Sequence, residues 1–130
     1  MNAIVYEIIE ADYDKYIEYN GVLKKDTPLA TEIKNNDWEY FCVKKDGKII
    51  NDFLINTETN HITLDRLKFK DLNYINQVFA FLKSKYDFII EYVPIEMTDI
   101  IDIIENNFNV ESKIVEQEGF NYKKYKIILK

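Results

Sequence analysis

Two acidic side chains are the first candidates for chemistry in this sequence of 130 residues. Glu91 stands in the otherwise apolar run of residues 88–93, and Asp65 stands in the earlier segment 61–69. If the two carboxyl groups shared a cleft, desolvation and like-charge proximity would raise the pKa of one of them and suit acid–base catalysis. The alternative is structural: Asp65 pairs with a Lys or with Arg66, and Glu91 bonds to the backbone of its strand. The sequence leaves both interpretations open.

Cys42 and His61, the one cysteine and the one histidine, are the next candidates. A nucleophilic thiol would need His61 as its base, but Cys42 lies in an alternating apolar segment, where a free thiol acts as a small apolar side chain. His61 follows a turn and is predicted at the surface. One cysteine excludes an internal disulfide and, with one histidine, argues against a zinc or iron–sulfur site.

A row of acidic residues recurs on one face of a predicted helix, at Asp99, Asp102 and Glu105. Such a row could hold a divalent cation. The opposite face of the helix is isoleucine, so a solvated polar face is the simpler interpretation. We predict no metal.

Aromatic side chains are abundant, with ten Tyr, eight Phe and one Trp. A domain of this size cannot bury them all, and exposed aromatic residues are common anchors of protein interfaces. Ordinary half-buried packing is the alternative. The interface candidates lie on the first predicted helix and the last predicted strand: Tyr13, Tyr16, Tyr19, Tyr122 and Tyr125.

Charge and composition exclude several functional classes. The formal net charge is −6, and of the 17 basic residues only Arg66 carries a guanidinium group, so a direct nucleic-acid ligand is not expected. No apolar run approaches the roughly 20 residues that span a bilayer, and the start of the chain has no features of a signal peptide. We therefore expect a cytoplasmic protein without membrane contact.

Hydrophobic periodicity and turn residues predict a single α+β domain over residues 1–130. The predicted order is a strand at residues 3–10, a helix capped by Asp12, a short helix at 28–34, strands at 38–44 and 49–55 joined by Asp46-Gly47, a third meander strand at 61–69, a helix capped by Asp71, a buried central strand at 88–93, a helix from Thr98, and two last strands at 110–117 and 120–129.

This order of elements resembles that of the Gcn5-related N-acetyltransferase (GNAT) family over nearly the whole chain. Residues 104–108, followed by a strand and then Glu118-Gly119-Phe120, are similar to the family's last helix and closing hairpin. Residues 88–93 are similar to its central splayed strand. The resemblance implies a GNAT-like fold, with a mixed, mostly antiparallel sheet of about six or seven strands flanked by helices.

The resemblance also implies where an acyl-CoA would bind, and here the sequence departs from the family. Family members hold the pyrophosphate of acetyl-CoA on a glycine-rich loop before a helix, because glycine lets backbone N–H groups approach the phosphates. The matching segment, residues 66–74, contains no glycine, and Asp71 would place a carboxylate where a phosphate should lie. Point contacts from Arg66, Lys68 and Lys70 are the remaining cofactor-binding candidates.

The catalytic residues implied by the resemblance are also incomplete. The family's usual general acid is a Tyr on the last helix, and residues 97–108 contain none. Asp65 lies near the position where the family often has a general base. These departures from the family indicate a GNAT-like scaffold that has lost cofactor binding, so no cofactor is predicted.

The leading functional prediction is a non-catalytic protein-binding module, with another protein as its partner. Its more specific form is a phage or mobile-element protein that inhibits or modifies a host protein. One alternative is an atypical acyl-CoA-dependent N-acyltransferase, with acetyl-CoA held by lysines and Asp65 or Glu91 as base. Another alternative is a virion or assembly component. A homodimer is also predicted to be possible, through an edge presented by residues 122–130.

Overall fold

The structure, a computed structural model, describes residues 3–130. Within that range the strands are β1 Glu7–Ala11, β2 Trp38–Lys45, β3 Lys48–Asn56, β4 Phe88–Pro94, β5 Val110–Gln117 and β6 Phe120–Ile128. The helices are α1 Tyr13–Asn20, α2 Pro28–Lys34, α3 Leu72–Leu82 and α4 Thr98–Asn107, with 3₁₀ turns at Val22–Asp26 and Arg66–Lys70. These elements confirm the predicted α+β class, and six of the seven predicted strands are present. The chain divides into two compact units, Val5–Thr63 and Leu64–Lys130, the latter with residues 3–4.

The unit Val5–Thr63 is an antiparallel sheet in the order β1-β2-β3, with α1 and α2 packed against it. Asp12 caps α1 by accepting the Lys15 backbone N–H at 3.1 Å, as predicted. The core between helices and sheet is built from one side of each amphipathic element. Its buried members are Tyr16, Ala30, Ile33, Tyr40, Cys42 and Leu54.

The hairpin of β2 and β3 confirms the turn predicted at Asp46-Gly47. Both residues have positive φ angles, 52° and 80°, as a two-residue turn between twisted strands requires. Phe41 and Phe53 face each other across the two strands, with ring centroids 5.2 Å apart and nearly parallel planes. Such a cross-strand aromatic pair stabilises the register of the hairpin.

The third meander strand predicted at residues 61–69 is wrong. After β3 a single antiparallel bridge joins Ile55 to Ile62, and the chain then enters the 3₁₀ turn Arg66–Lys70. The Asp65 carboxylate accepts the Leu67 N–H at 3.0 Å, and this side-chain bond favours a turn over a ladder. The first strand is also shorter than predicted, beginning at Glu7.

The unit Leu64–Lys130 contains a second antiparallel sheet, in the order β4-β6-β5. The predicted spans of these strands are confirmed, but their order is not the predicted one, because β6 and not β4 is the central strand of this sheet. Residues 122–127 are paired on both sides, so they do not present the edge expected for a homodimer. The edge strand beside β6 is β5, most of whose side chains are exposed.

Helices α3 and α4 and the 3₁₀ turn Arg66–Lys70 are joined by aromatic packing. The rings of Phe69, Phe79 and Phe108 lie 5.2–6.1 Å apart in edge-to-face arrangements. Helix α3 begins where predicted, because the Asp71 carboxylate accepts the Tyr74 N–H at 3.1 Å. This packing fixes the loop before α3 relative to the helix that follows it.

Candidate functional site

Two carboxylates of the loop of residues 65–71 accept backbone N–H groups, one within the loop and one in the first turn of α3. Asp65 accepts the Leu67 N–H at 3.0 Å, and Asp71 accepts the Tyr74 N–H at 3.1 Å. Backbone N–H groups at the start of a helix are where an anion would bind. Here side chains of the chain occupy donors of that kind, and we call this segment the capped loop.

The lysines of the capped loop also have partners. The Lys70 ammonium lies 3.0 Å from Asp99 of α4, and that hydrogen bond lowers the pKa of the Asp99 carboxyl, aided by the Ile100 N–H. The Lys68 ammonium lies 5.3 Å from the centre of the Tyr74 ring, within the range of a cation–π interaction. Both cations are therefore already engaged within the unit.

Arg66 is directed toward strand β4. Its Nε donates to the Tyr92 carbonyl at 2.5 Å and lies 3.9 Å from Oε1 of Glu91. One guanidinium thus satisfies a backbone acceptor and stands beside a buried carboxyl group.

Glu91 is buried, with 2% of its surface exposed. Its Oε1 accepts the Tyr92 N–H at 3.0 Å, whereas Oε2 has no hydrogen-bond partner among the described residues. Burial raises the pKa of Glu91 to about 8, against the opposing effects of Arg66 and the Tyr92 N–H. Near pH 7 the carboxyl group is therefore mainly protonated and neutral.

The two carboxyl groups considered for acid–base chemistry lie in different environments. Asp65 is exposed and bonds to its own turn, whereas Glu91 is buried and contacts Arg66 and Tyr92. These contacts match the structural alternative in part, because Glu91 accepts a backbone N–H of its own strand, at Tyr92. The expected pairing of Asp65 with a basic side chain is replaced by its bond to the Leu67 N–H, and Arg66 contacts the Glu91 carboxyl group. The expected placement of Asp65 on a strand is wrong.

A second carboxyl site, which sequence reasoning did not identify, joins α4 to β6. Glu105 Oε2 accepts the Tyr125 hydroxyl at 2.6 Å and forms an ion pair with Lys123. These donors lower the pKa of Glu105. Burial, together with the Glu105 carboxylate, raises the pKa of Tyr125. The alternation of β6, which places Lys123 and Tyr125 on one face, was the available signal.

The acidic face of α4 is engaged by basic and phenolic groups. Asp99 pairs with Lys70, and Glu105 pairs with Lys123. Within residues 3–130 no group of three or more His, Cys, Asp or Glu side chains is arranged to hold a metal ion.

Cys42 lies in the core of the other unit, beside the Tyr40 hydroxyl. Burial raises the pKa of its thiol, so the thiolate needed for a nucleophile is disfavoured. Tyr40 donates to Asp52 at 2.8 Å, and Asn20 donates to the same oxygen at 2.9 Å. His61, predicted at the surface, is half-buried, with its ring centroid 6.2 Å from that of Trp38.

The tyrosines predicted as interface anchors differ in exposure. Tyr16 and Tyr125 are buried, at 6% and 0%, so these two are wrong as surface anchors. Each is the large side chain that fills the space between a helix and its sheet. Tyr13 and Tyr122 are half-buried, and Tyr19 is 41% exposed.

In the described part of the chain, no helix has both the length and the apolar character needed to cross a bilayer.

Comparison with known proteins gives matches of structure only. No protein-family model matches the chain, and no curated protein sequence matches it. An N-acetyltransferase from Staphylococcus aureus Mu50 superposes with a TM-score of 0.55 at 11% identity, covering 96% of this chain and 98% of the other. The IAA acetyltransferase from Bacillus cereus ATCC 14579 gives 0.53 at 10% identity, covering 95% and 100%.

A third structure is a GNAT family acetyltransferase from Elizabethkingia anophelis with acetyl-CoA bound. It gives a TM-score of 0.51 at 11% identity, covering 95% of each chain. These similarities confirm that this chain has a GNAT-like fold. Fold alone does not carry activity, which belongs to particular sites.

Proposed function

We propose that this protein is a non-catalytic protein-binding module on a GNAT-like scaffold. The observation that carries the proposal is the capped loop, in which the chain's own carboxylates, Asp65 and Asp71, accept backbone N–H groups before and at the start of α3. A phosphate approaching this loop would compete with two internal acceptors and meet their negative charge.

The cations near the capped loop also support the proposal, because they already have partners within the chain. Lys70 is paired with Asp99, and Arg66 is committed to Tyr92 and Glu91. Recruiting either one for an acyl-CoA would break an existing contact, and freeing Arg66 would leave the Tyr92 carbonyl without its side-chain donor. A low affinity for acyl-CoA follows from these costs.

The buried carboxyl group also argues against the alternative acyltransferase. A general base must come within hydrogen-bond reach of the proton that it removes. Glu91 is 2% exposed and has its pKa raised to about 8, so it is both covered and mainly protonated near pH 7. Asp65, the other candidate, lies exposed on its turn, where Oδ1 accepts the Leu67 N–H, and so it lacks the burial that makes a carboxyl group a stronger base.

Support for a protein partner comes from apolar side chains exposed at the end of α1. Tyr19, Val22 and Leu23 are 41%, 70% and 92% exposed, and we call them the apolar corner. Adjacent exposed apolar side chains commonly mark interaction surfaces. Small size and a net charge of −6 support the more specific proposal of a cytoplasmic, phage- or mobile-element-borne inhibitor or modifier of a host protein.

The first test is thermal unfolding with acetyl-CoA, CoA and longer acyl-CoAs, beside a sample without ligand. A ligand at a hundredfold its Kd stabilises the folded state by roughly 2.7 kcal/mol, a shift of several degrees in Tm. We expect no shift with any of them. A clear rise would overturn the proposal and favour the acyltransferase.

The second test addresses the apolar corner directly. Tagged wild type, Leu23→Ser and the matched control Val5→Ser are compared for capture of a partner from host lysate, because Val5 is equally apolar and 79% exposed. We expect wild type and Val5→Ser to retain the same partner and Leu23→Ser to lose it. Equal capture by all three would contradict binding through this corner.

A further inference from the structure

A row of lysines crosses one face of the sheet in the unit Leu64–Lys130. In β6 and β5, Lys124 stands directly opposite Lys113, and Lys126 is two residues further along on the same face. We call these three residues the lysine row. The lysine row is a local concentration of positive charge in a chain whose net charge is −6.

The lysine row is poorly neutralised. Lys126 lies 4.0 Å from Glu111, a distance at the limit of an ion pair. Among residues 3–130, Lys113 and Lys124 have no carboxylate within 4.0 Å, and Lys124 instead lies over the Tyr92 ring at 5.8 Å. Like charges directly opposite in a sheet are destabilising, so this arrangement favours an anion above it.

The surface at this point is concave. A depression of about 270 Å³ is lined by the lysine row together with Ile90, Glu111 and Ser112. Its lining combines three ammonium groups and one carboxylate with the apolar side chain of Ile90, and this mixture fits a ligand that carries carboxylates on an extended frame better than it fits an isolated small anion.

The neighbouring strand β5 offers a free edge for such a frame. In the described residues β5 pairs with β6 alone. The Asn109 carbonyl accepts the Ile128 N–H at 2.9 Å, which fixes the alternation of the antiparallel ladder. Backbone groups of Glu111 and Lys113 therefore face β6, and those of Ser112 and Ile114 face the outer edge.

We propose that an extended acidic peptide segment of a partner protein binds along the outer edge of β5. It adds a strand to the sheet through the backbone groups of Ser112 and Ile114 and places Asp or Glu side chains toward the lysine row. Its alternate side chains are apolar, because Ile114 projects to the opposite face and is 60% exposed. This surface goes beyond the proposed function and requires neither the capped loop nor the apolar corner.

The test uses a fluorescent eight-residue peptide of alternating Ile or Val and Asp or Glu, measured by fluorescence anisotropy with the full chain. A peptide of the same composition, with the acidic and apolar residues in separate blocks, is the first control. We expect the alternating peptide to bind at least tenfold more tightly and its affinity to fall with added salt. Equal binding of the two peptides would overturn the strand-addition geometry.

Variants of the protein separate charge from edge pairing. Lys113→Gln with Lys124→Gln should weaken binding at least tenfold, whereas the control Lys25→Gln with Lys48→Gln, which removes the same charge from the other unit, should leave it unchanged. Ser112→Pro removes an outward N–H at an edge position and should also weaken binding at least tenfold. A retained far-UV spectrum and Tm verify that each variant is folded.

Three results would overturn the proposal. The first is unchanged binding in both the lysine and the Ser112→Pro variants. The second is equal binding of a single-stranded oligonucleotide with the same number of charges, which would indicate a general anion surface. The third is concentration-dependent dimerisation that Ser112→Pro abolishes, with no binding of the alternating peptide, which would assign the edge to a second copy. None of these results bears on acyl-CoA, so the proposed function is tested separately.

Discussion

Glu91 and Glu105 lie in the same unit and are tuned in opposite directions. Glu91, on β4, is buried, with one oxygen bonded and one without a partner, and its pKa is raised to about 8. Glu105, on α4, receives donors from Lys123 and Tyr125, and its pKa is lowered. Because the two side chains are chemically identical, the difference between their pKa values shows that hydrogen-bond donors and burial determine the charge of each.

The comparison also separates two structural roles. Glu105 is an ionised group that ties a helix to a sheet through short bonds. Glu91 is mainly neutral near pH 7 and lies beside the Arg66 guanidinium, which also donates a hydrogen bond to the Tyr92 carbonyl. Three substitutions, at Glu91, Arg66 and Tyr125, test this contrast.

The largest effect is expected for Glu91→Gln as a function of pH. The unfolded carboxyl group loses its proton near pH 4.5, whereas the folded one keeps it to about pH 8. The stabilising contribution is therefore complete below pH 4.5 and is lost as the pH rises to 8. At about 1.4 kcal/mol per pKa unit, wild type should lose on the order of 3 kcal/mol between pH 5 and 8 relative to the variant.

Urea unfolding at intervals from pH 5 to 9 measures this difference. Glu116→Gln, an exposed glutamate on β5, is the control and should follow wild type across the series. Parallel curves for wild type and Glu91→Gln would show that Glu91 is ionised in the folded protein, and the contrast with Glu105 would fail.

A smaller effect, about 2 kcal/mol at pH 7, is expected for Arg66→Ala. The substitution leaves the Tyr92 carbonyl without its side-chain donor and removes the positive charge near Glu91. The pKa of folded Glu91 should then rise further, so that the loss of stability with rising pH extends to higher pH. Arg66→Lys restores the charge without the fork and should recover only part of the stability. No loss of stability in Arg66→Ala in urea unfolding at pH 7 would contradict a stabilising bond to Tyr92.

The smallest effect, about 1 kcal/mol, is expected for Tyr125→Phe at pH 7. The ring remains to fill the core, but Glu105 loses the hydroxyl donor and keeps Lys123. Since the pKa of folded Glu105 is lowered, its contribution is present above the unfolded pKa and is lost as the pH falls. Tyr122→Phe, on the opposite face of β6, is the control. Equal losses for the two variants in urea unfolding would indicate no special bond to Glu105.

Local structure was largely predictable from the sequence. Asp12 and Asp71 were identified as helix caps, and Asp46-Gly47 as a tight turn; each depends on bonds or φ angles within a few residues. The same locality explains why the missing glycine loop before α3 could be recognised. Glu91 was singled out because a carboxyl group in an apolar strand requires an environment that explains it.

What the sequence did not determine depends on contacts between distant segments. The segment 61–69 has apolar residues that suit a strand, but its pairing with β3 is confined to the start of the segment, around Ile62, and Asp65 bonds to its own turn. The burial of Tyr16 and Tyr125, and the pairing of Arg66 with Glu91, follow from which faces meet in the folded chain. Caps and turns are encoded within a few residues, whereas burial, strand order and the shifted pKa values of Glu91 and Glu105 arise when remote residues meet, either excluding water or supplying hydrogen-bond donors.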